Sequence, residues 1–419
     1  MKSHLLTIGD ELLIGQTTNT NAAWLGEQLS QLGVAVDRTV TVGDQAKVIQ
    51  TELDRAYQHA CLVIVTGGLG PTHDDLTRQA VAAYFDAPLH TDDEILSRIQ
   101  QYYARRNRQM PTAATKLAQV PAGFDVLDNP VGAAVGLWYE DDDRLIAVLP
   151  GIPEEMKGIF QAEVRPRLDA RAHLQEVRHR TLVTSGIGES ALQERLGALD
   201  DMLDAHTDLA YLPSTSGVRL RLTVSTDGVP DPTARLNRLE AYIRDRAGEH
   251  VIGTGDITLE EVLGDQLRAA GWTIATAESA TGGLIGHRLT GISGSSDYYA
   301  GSVVAYANPV KQHVLNVSDE ALDAHGAVSE AVAVQMAEGV RAALDVNVAI
   351  ATTGIAGPTG GTPEKPVGTV WVGYADDRRH RAVRRHFVED RALNKKLFAS
   401  AALDLARREV EERTKEDGV

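Results

Sequence analysis

Two glycine-rich turns, each following an apolar run, carry the residues whose types could do chemistry. In WTIATAESATGGLIGHRLTG a strand is expected to stop at Glu278, with Ser279 at the turn and a helix opening near Thr281. A serine at a helix entrance has free backbone N–H groups beside it. Here they run from Ala280 through Thr281, Gly282 and Gly283, and such donors can hold the oxyanion of a tetrahedral intermediate. A nucleophilic serine also needs a base, yet there is no GxSxG elbow and no histidine in a recognisable Ser/His/Asp pattern. Lysine is the alternative. The run YYAGSVVAYANPVKQHVL puts Tyr306 and Lys311 just past another expected strand. A desolvated lysine there could accept the serine proton, and Tyr306 could orient either partner. Ser279 suits an ordinary N-cap equally well, and Lys311 an ordinary surface position. Glu278 reads as structural.

The other turn is VIVTGGLGPTHDDLT, expected between a buried strand and a helix whose first turn carries Asp74 and Asp75. Gly67, Gly68 and Gly70 would let the backbone approach a phosphate, with the helix entrance supplying N–H donors. Glu11 in GDELLIG and Asp44 in TVGDQAK stand at comparable strand ends. Four such carboxylates could hold a divalent cation against a diphosphate, whose bound water would attack phosphorus. Simple capping by Asp74, Asp75 and Asp44, with Glu11 solvated, is the competing reading. The turn is neither GxGxxG nor a Walker loop, so its spacing names no nucleotide.

The elements that must position these turns belong to a chain of 419 residues, long enough for two to four domains. The first third alternates β-rich runs with helical periods, which predicts an α/β fold with a parallel sheet. It ends at RLIAVLPGIPEEMKGIFQAEVRPRLDAR, placing a first domain at residues 1–172. Residues 173–254 read as a small α+β module, and alternation resumes over 255–419 in a second α/β domain. With 41 Lys and Arg against 58 Asp and Glu, the net charge is −17, which argues against nucleic acid and anionic membranes as partners. The single cysteine, Cys61, opens CLVIVTGG and is expected as a buried strand thiol, so no disulfide or cysteine zinc site is expected. The N-terminal run breaks at Asp10 and Glu11 and no apolar stretch reaches about 18 residues, so neither a signal peptide nor a spanning helix is expected. The expected location is cytoplasmic.

In GDELLIGQTTNTNAAWL, TGGLGPTHDDLT, NPVGAAVGLW and LPGIPEEM the first domain resembles the molybdopterin-binding-like N-terminal domain of the CinA family. That resemblance implies a metal-dependent ADP-ribose pyrophosphatase releasing AMP and ribose 5-phosphate, with Asp75 and Asp44, then Glu11 and Asp74, at the ligand. A pterin- or nucleotide-binding module without turnover is the alternative. The segments AESATGG, GSVVAYANPVK and TTGIAGPTGGTPEKPVGTVWVGY resemble the family's C-terminal amidase domain. They imply hydrolysis of nicotinamide mononucleotide (NMN) to nicotinate mononucleotide and ammonia, with Ser279 as nucleophile, Lys311 as base and no cofactor. A mononucleotide needs its phosphate held, and backbone N–H groups of Gly354, Ile355, Ala356 and Gly357 could do so, with the Thr353 hydroxyl nearby. A plain surface loop is the competing reading there. Arg391 matches a family arginine that would pair with phosphate.

The middle module resembles the family's KH-like domain, but SGIGES lacks GxxG spacing and leads to Asp200, Asp201, Asp204 and Asp208. A spacer or dimerisation role follows, and a homodimer is expected. The family name suggests a further class, an interaction protein of competence or DNA repair, for which the chain offers no basic stripe.

Overall fold

The computed structural model describes residues 1–171, 177–199 and 201–418; the expected boundary at Ala172 and the acidic Asp200 lie outside them. The chain divides into two compact units, Met1–His179 with Thr223–Arg235 and Arg180–Leu222 with Leu236–Val419.

The N-terminal segment runs β1 (Lys2–Ile8), α1 (Asp10–Leu13), α2 (Thr20–Gln31), β2 (Ala35–Val42), α3 (Ala46–Tyr57), β3 (Leu62–Thr66), α4 (Thr77–Tyr84), β4 (Leu89–Thr91), α5 (Asp93–Arg105), β5 (Gln119–Pro121), β6 (Asp125–Leu127), β7 (Gly136–Glu140), β8 (Leu145–Leu149), α6 (Pro153–Ile159) and α7 (Arg165–Asp169). Its main sheet has the order β2-β1-β3-β8-β7-β6. Leu6, Ile8, Val63 and Val65 enter one core with α3 and α5, while Leu5, Leu62 and Ile64 enter another with α2 and α6. Alternate residues of one strand thus feed two cores, which is why these strands read as continuous apolar runs and the architecture has three layers. The expected all-parallel sheet is corrected at one edge, where β7 pairs antiparallel with β8 and β6 with β7. The Asp141 carboxylate accepts the Asp143 and Arg144 N–H groups at 3.1 and 2.8 Å, closing a tight turn that reverses the chain between β7 and β8.

A second correction concerns α4. It begins at Thr77, so Asp74 and Asp75 precede the helix and are not in its first turn. The Asp75 carboxylate accepts Thr72 N–H at 2.8 Å and Thr77 N–H donates to the Gly68 carbonyl at 3.2 Å, which makes 72–75 a turn of its own.

The middle segment holds β9 (Val177–Thr184), α8 (Glu189–Leu196), β10 (Thr207–Pro213), β11 (Val218–Ser225), α9 (Pro232–Ala247) and β12 (Val251–Thr254), with sheet order β10-β11-β9-β12. Strict alternation of burial along β11 marks a sheet covered on one face. β12, too short to read from the sequence, pairs antiparallel with β9.

The C-terminal segment comprises α10 (Leu259–Ala270), β13 (Ile274–Glu278), α11 (Leu284–Thr290), β14 (Tyr299–Val304), α12 (Asn308–Leu315), α13 (Asp319–His325), α14 (Glu330–Leu344), β15 (Val348–Gly354), β16 (Thr369–Ala375), β17 (His380–His386) and α15 (Arg391–Asp417). Sheet order is β14-β13-β15-β16-β17; the first three strands are parallel and the last two antiparallel. Ile274, Val348 and Ile350 face a core built with α10 and α15. Ala275, Ala277, Ala349 and Ala351 face α14, and these small residues let that helix sit close to the sheet. Among the described residues no helix is long and apolar enough to cross a membrane.

The close packing fixes α12, the helix that bears Lys311. A Cβ on Gly339 of α14 would stand 1.9 Å from the Leu315 carbonyl oxygen at the end of α12. Glycine to alanine inside a helix ordinarily stabilises by about 1 kcal/mol. Here the sign is expected to reverse: Gly339→Ala should lose about 1–3 kcal/mol by overpacking, seen as a lower Tm in thermal unfolding followed by circular dichroism. A Tm at or above that of the wild type would show that α12 moves aside freely.

Candidate active site

β13 ends on Glu278, a carboxylate with no exposed surface. It accepts N–H from Gly283 at 2.8 Å, Ile285 at 3.1 Å and Gly286 at 2.8 Å, capping α11 from the strand that precedes it. These bonds and the positive end of the helix offset the desolvation of the charge. The chain can fold back so tightly because Gly282 and Gly283 take φ of 62° and 93°, a region side chains resist. Glu278 is structural, as expected. Its bond to Gly283 also removes that N–H from the expected oxyanion set. Among the described residues, the N–H groups of Ala280, Thr281 and Gly282 donate to no protein acceptor.

Ser279 sits at the head of this turn, 9% exposed, with its N–H on the Thr352 carbonyl at 2.9 Å. The register of β13 against β14 pairs Glu278 with Val304, and Ala305 N–H donates to the Glu278 carbonyl at 2.8 Å. Ser279 and Ala305 are therefore the next residues on adjacent strands. The Ala305 carbonyl accepts the Lys311 ammonium at 2.8 Å, and the Tyr306 carbonyl accepts it at 3.3 Å. Lys311 is 1% exposed, and burial pulls its pKa below the usual lysine range. The structure thus brings Ser279 and Lys311 to one corner, at the C-terminal ends of parallel strands. Among the described residues, Ser279 Oγ and Lys311 Nζ are not hydrogen-bonded to each other; such contacts often tighten only around substrate.

Other expected residues are placed differently. The Tyr306 hydroxyl accepts Arg391 Nη2 at 3.1 Å and, among the described residues, bonds neither Ser279 nor the Lys311 side chain. Arg391 Nη1 donates to the Gly357 carbonyl at 2.7 Å, so the arginine joins two loops, with further N–H donors left over. Thr281 is fully buried and its hydroxyl bonds that of Thr352 at 2.8 Å, so the hydroxyl supports the turn while the backbone N–H stays unspent. Thr353 donates its hydroxyl proton to the Ala327 carbonyl at 2.6 Å. Gly354 closes β15 opposite Val370, and Ile355 N–H is spent on the Thr369 carbonyl at 2.8 Å. Of the expected cradle, Ala356 and Gly357 keep N–H groups without a protein acceptor among the described residues.

Two residues escaped the sequence reading. Asn394 is fully buried and donates to the carbonyls of Ala356 at 3.0 Å and Val388 at 2.8 Å, tying the cradle loop to α15. The Lys395 ammonium stands 3.6 Å from where a Cβ on Gly282 would be, beside the nucleophile turn. Both follow Arg391 by helical spacing, three and four residues on, a pattern that places them on one face but assigns no role.

In the N-terminal segment, Gly67 and Gly68 take φ of 107° and 64°. A Cβ on Gly68 would meet Thr77 Oγ1 at 2.2 Å and one on Gly70 the Asp75 carboxylate at 2.4 Å or more. Burial raises the pKa of Asp44, its bond from Asp10 N–H opposes this, and the charges of Asp10, Glu11 and Asp74 raise it further. Those carboxylates are electrostatic neighbours, whereas Asp75 turns back onto Thr72 and Asp74 is exposed. Among the described residues, no three Asp, Glu, His or Cys side chains converge where a metal ion would sit. The four expected ligands are therefore not gathered into a cation cage. A cavity of about 100 Å³ opens instead beside Glu11, Thr18, Asn21 and Gly67, and Asn21 Oδ1 is buried there without a partner. Asn21 lies in the quoted TTNTN run but had no pattern to single it out.

Family models match three consecutive parts of the chain: a probable molybdopterin binding domain over 4–170, a damage-inducible protein CinA KH domain over 179–253 and a CinA C-terminal domain over 256–410. A CinA-like protein of Salinibacter ruber is 68% identical over 97% of this chain and 99% of its own length. Another, from Gemmatimonas aurantiaca, is 42% identical over 100% and 99%. A crystal structure titled as the protein CinA with unknown function from Thermoplasma acidophilum is 32% identical over 39% of this chain and 96% of its own, with a TM-score of 0.37. The chain belongs to the CinA family. Its fold is two α/β domains with a KH-type α+β module between them.

Because Glu278 alone caps the turn that carries Ser279, Glu278→Ala should cost about 3–5 kcal/mol, the penalty for leaving buried donors unpaired. Glu278→Gln, which keeps one acceptor oxygen, should lose less. Urea unfolding of the three proteins checks the order; equal stability would remove Glu278 from its capping role.

Proposed function

We propose that the C-terminal domain hydrolyses the carboxamide of NMN, releasing nicotinate mononucleotide and ammonia. The observation that carries this reading is the buried Lys311, with its depressed pKa, held on the carbonyl next to Ser279. In its neutral form Lys311 takes the Ser279 proton as Oγ attacks the amide carbon. The oxyanion forms against the N–H groups of Ala280, Thr281 and Gly282. Collapse breaks the C–N bond, and Lys311 returns the proton to the leaving nitrogen. Water, with Lys311 again as base, then hydrolyses the acyl-serine and frees the carboxylate. Arg391, Lys395 and the N–H groups of Ala356 and Gly357 supply the positive potential that a mononucleotide phosphate requires.

Ammonia release from NMN in the presence of EDTA tests the reading. Wild type is expected to turn over; Ser279→Ala, Lys311→Ala and Lys311→Arg should each lose at least about a hundredfold in kcat, with NMN still bound by the folded variants. Turnover by Ser279→Ala, or none by wild type, overturns it. The protonated amine cannot act as base, so kcat/KM should climb with pH along a limb centred below the 10.5 of an ordinary lysine. A flat pH profile would remove Lys311 from the mechanism.

For the N-terminal domain we propose binding of ADP-ribose by its diphosphate at the Gly67–Gly70 turn. Cleavage to AMP and ribose 5-phosphate, which the family resemblance implies, calls for a divalent cation. The carboxylates as arranged do not form its cage, and this favours the binding module without turnover. Calorimetry in EDTA should therefore detect ADP-ribose binding. Asp75→Ala, which releases the Thr72 turn, should weaken it at least about tenfold while NMN hydrolysis is unchanged. AMP formation from ADP-ribose once magnesium or manganese replaces EDTA would overturn the binding-only reading, and equal loss of both functions would mark a folding defect.

A further inference from the structure

A cavity of about 490 Å³ lies between the middle module and the C-terminal sheet, within the unit formed by Arg180–Leu222 and Leu236–Val419. It shares no residue with the Ser279 site. Its volume is in the range of about 300–1,000 Å³ that small-molecule sites occupy. Val383 and Phe387, from β17 and its exit, line it on the same strand face as Arg381 and Arg385. The turn Ser185–Gly188, which leads into α8, also lines it. Charge is asymmetric: Arg381, Arg385 and Arg408 face the cavity against a single carboxylate, Asp404, in a chain of net charge −17.

Several of these groups are left without partners. Ser185 is 1% exposed, yet its hydroxyl has no hydrogen-bond partner. Such a buried group costs about 1–3 kcal/mol unless something meets it. The N–H groups of Ile187 and Gly188, at the entrance of α8, donate to no protein acceptor among the described residues, and no side chain caps that helix. Gly186 takes φ of 69°, and a Cβ there would stand 2.3 Å from the Asp404 carboxylate, so the turn is glycine for reach as well as conformation. Arg381 is paired with Glu409 at 3.2 Å, and Arg408 with Asp404 at 2.9 Å and Glu249 at 3.2 Å. Among the described residues, the Arg385 guanidinium has only the Arg384 carbonyl, at 3.3 Å. His250 Nδ1 lies 3.0 Å from both the Ser185 carbonyl and Arg408 Nη2. One ring nitrogen cannot donate to the first and accept from the second, so either tautomer leaves one of these groups unsatisfied.

We propose that this cavity is a second ligand site, for a phosphate monoester on a flat apolar body of mononucleotide size. The phosphate meets Arg385, the Ser185 hydroxyl and the N–H groups of Ile187 and Gly188, and the body lies against Phe387 and Val383. A helix entrance, a free guanidinium and a buried hydroxyl together form an anion site of a familiar kind.

Hydrogen exchange on the full chain, read by mass spectrometry over residues 186–189, reports on this cavity apart from the other two candidate sites. With AMP as probe, exchange in that segment should slow, and adenosine at the same concentration should have no such effect. Arg385→Ala, on an exposed edge strand outside the Ser279 site, should raise the AMP concentration for half-protection by about tenfold and leave NMN hydrolysis unchanged. No protection by AMP, protection by adenosine equal to that by AMP, or protection unaltered in Arg385→Ala would each overturn the proposal.

Discussion

A buried carboxylate holds the Ser279 turn of the C-terminal domain in place. Glu278 has no exposed surface, and three backbone N–H groups of the next turn and helix close on it. An ionised carboxylate taken from water would be costly unless such donors met it. Because they do, the chain must double back at Gly282 and Gly283, and Ser279 is presented at the end of β13 with the N–H groups of Ala280 to Gly282 unused. The parallel register with β14 then brings up Ala305, and through its carbonyl Lys311. Ser279, the neighbouring N–H groups and Lys311 all take their places from one strand end.

The far wall of that site is assembled by α15. Arg391 and Asn394, one turn apart, hold the carbonyls of Gly357 and Ala356, and Arg391 also holds the Tyr306 hydroxyl. A 27-residue helix with a largely buried body is a firm anchor for a glycine-rich loop that has little packing of its own. Tyr306 and Arg391 thus shape the loops around the serine. In the N-terminal domain Gly67, Gly68 and Gly70 are likewise explained by contact, since the Ile8 carbonyl, Thr77 and Asp75 occupy the space their side chains would need. Asp44 and Asp75 are tied to backbone N–H groups of neighbouring turns, and Asp74 is exposed.

Much of the architecture was legible along the chain. Period-two and period-3.6 runs marked most of the strands and helices, and continuous apolar runs such as Leu62–Thr66 marked strands covered on both faces. The misreadings were local competitions. Asp141 closes a turn that makes an edge antiparallel, and the Thr72–Asp75 turn delays α4 by a few residues. β12 was too short to carry a period.

Residue types and spacing alone therefore determined the α/β alternation, the serine at one strand end and the lysine just past another, and the glycines where the backbone must turn. Tertiary structure decided which polar groups were already spent. Thr353, Ile355 and Gly283 read as ligand donors in the sequence but bond within the fold, while Asn394 and Lys395 gain their places only when α15 docks. The physical reason is that a hydrogen-bond donor is available to a ligand only if no nearer acceptor has claimed it. Those acceptors come from strands and helices distant in sequence, so the claim is settled only when the chain is folded.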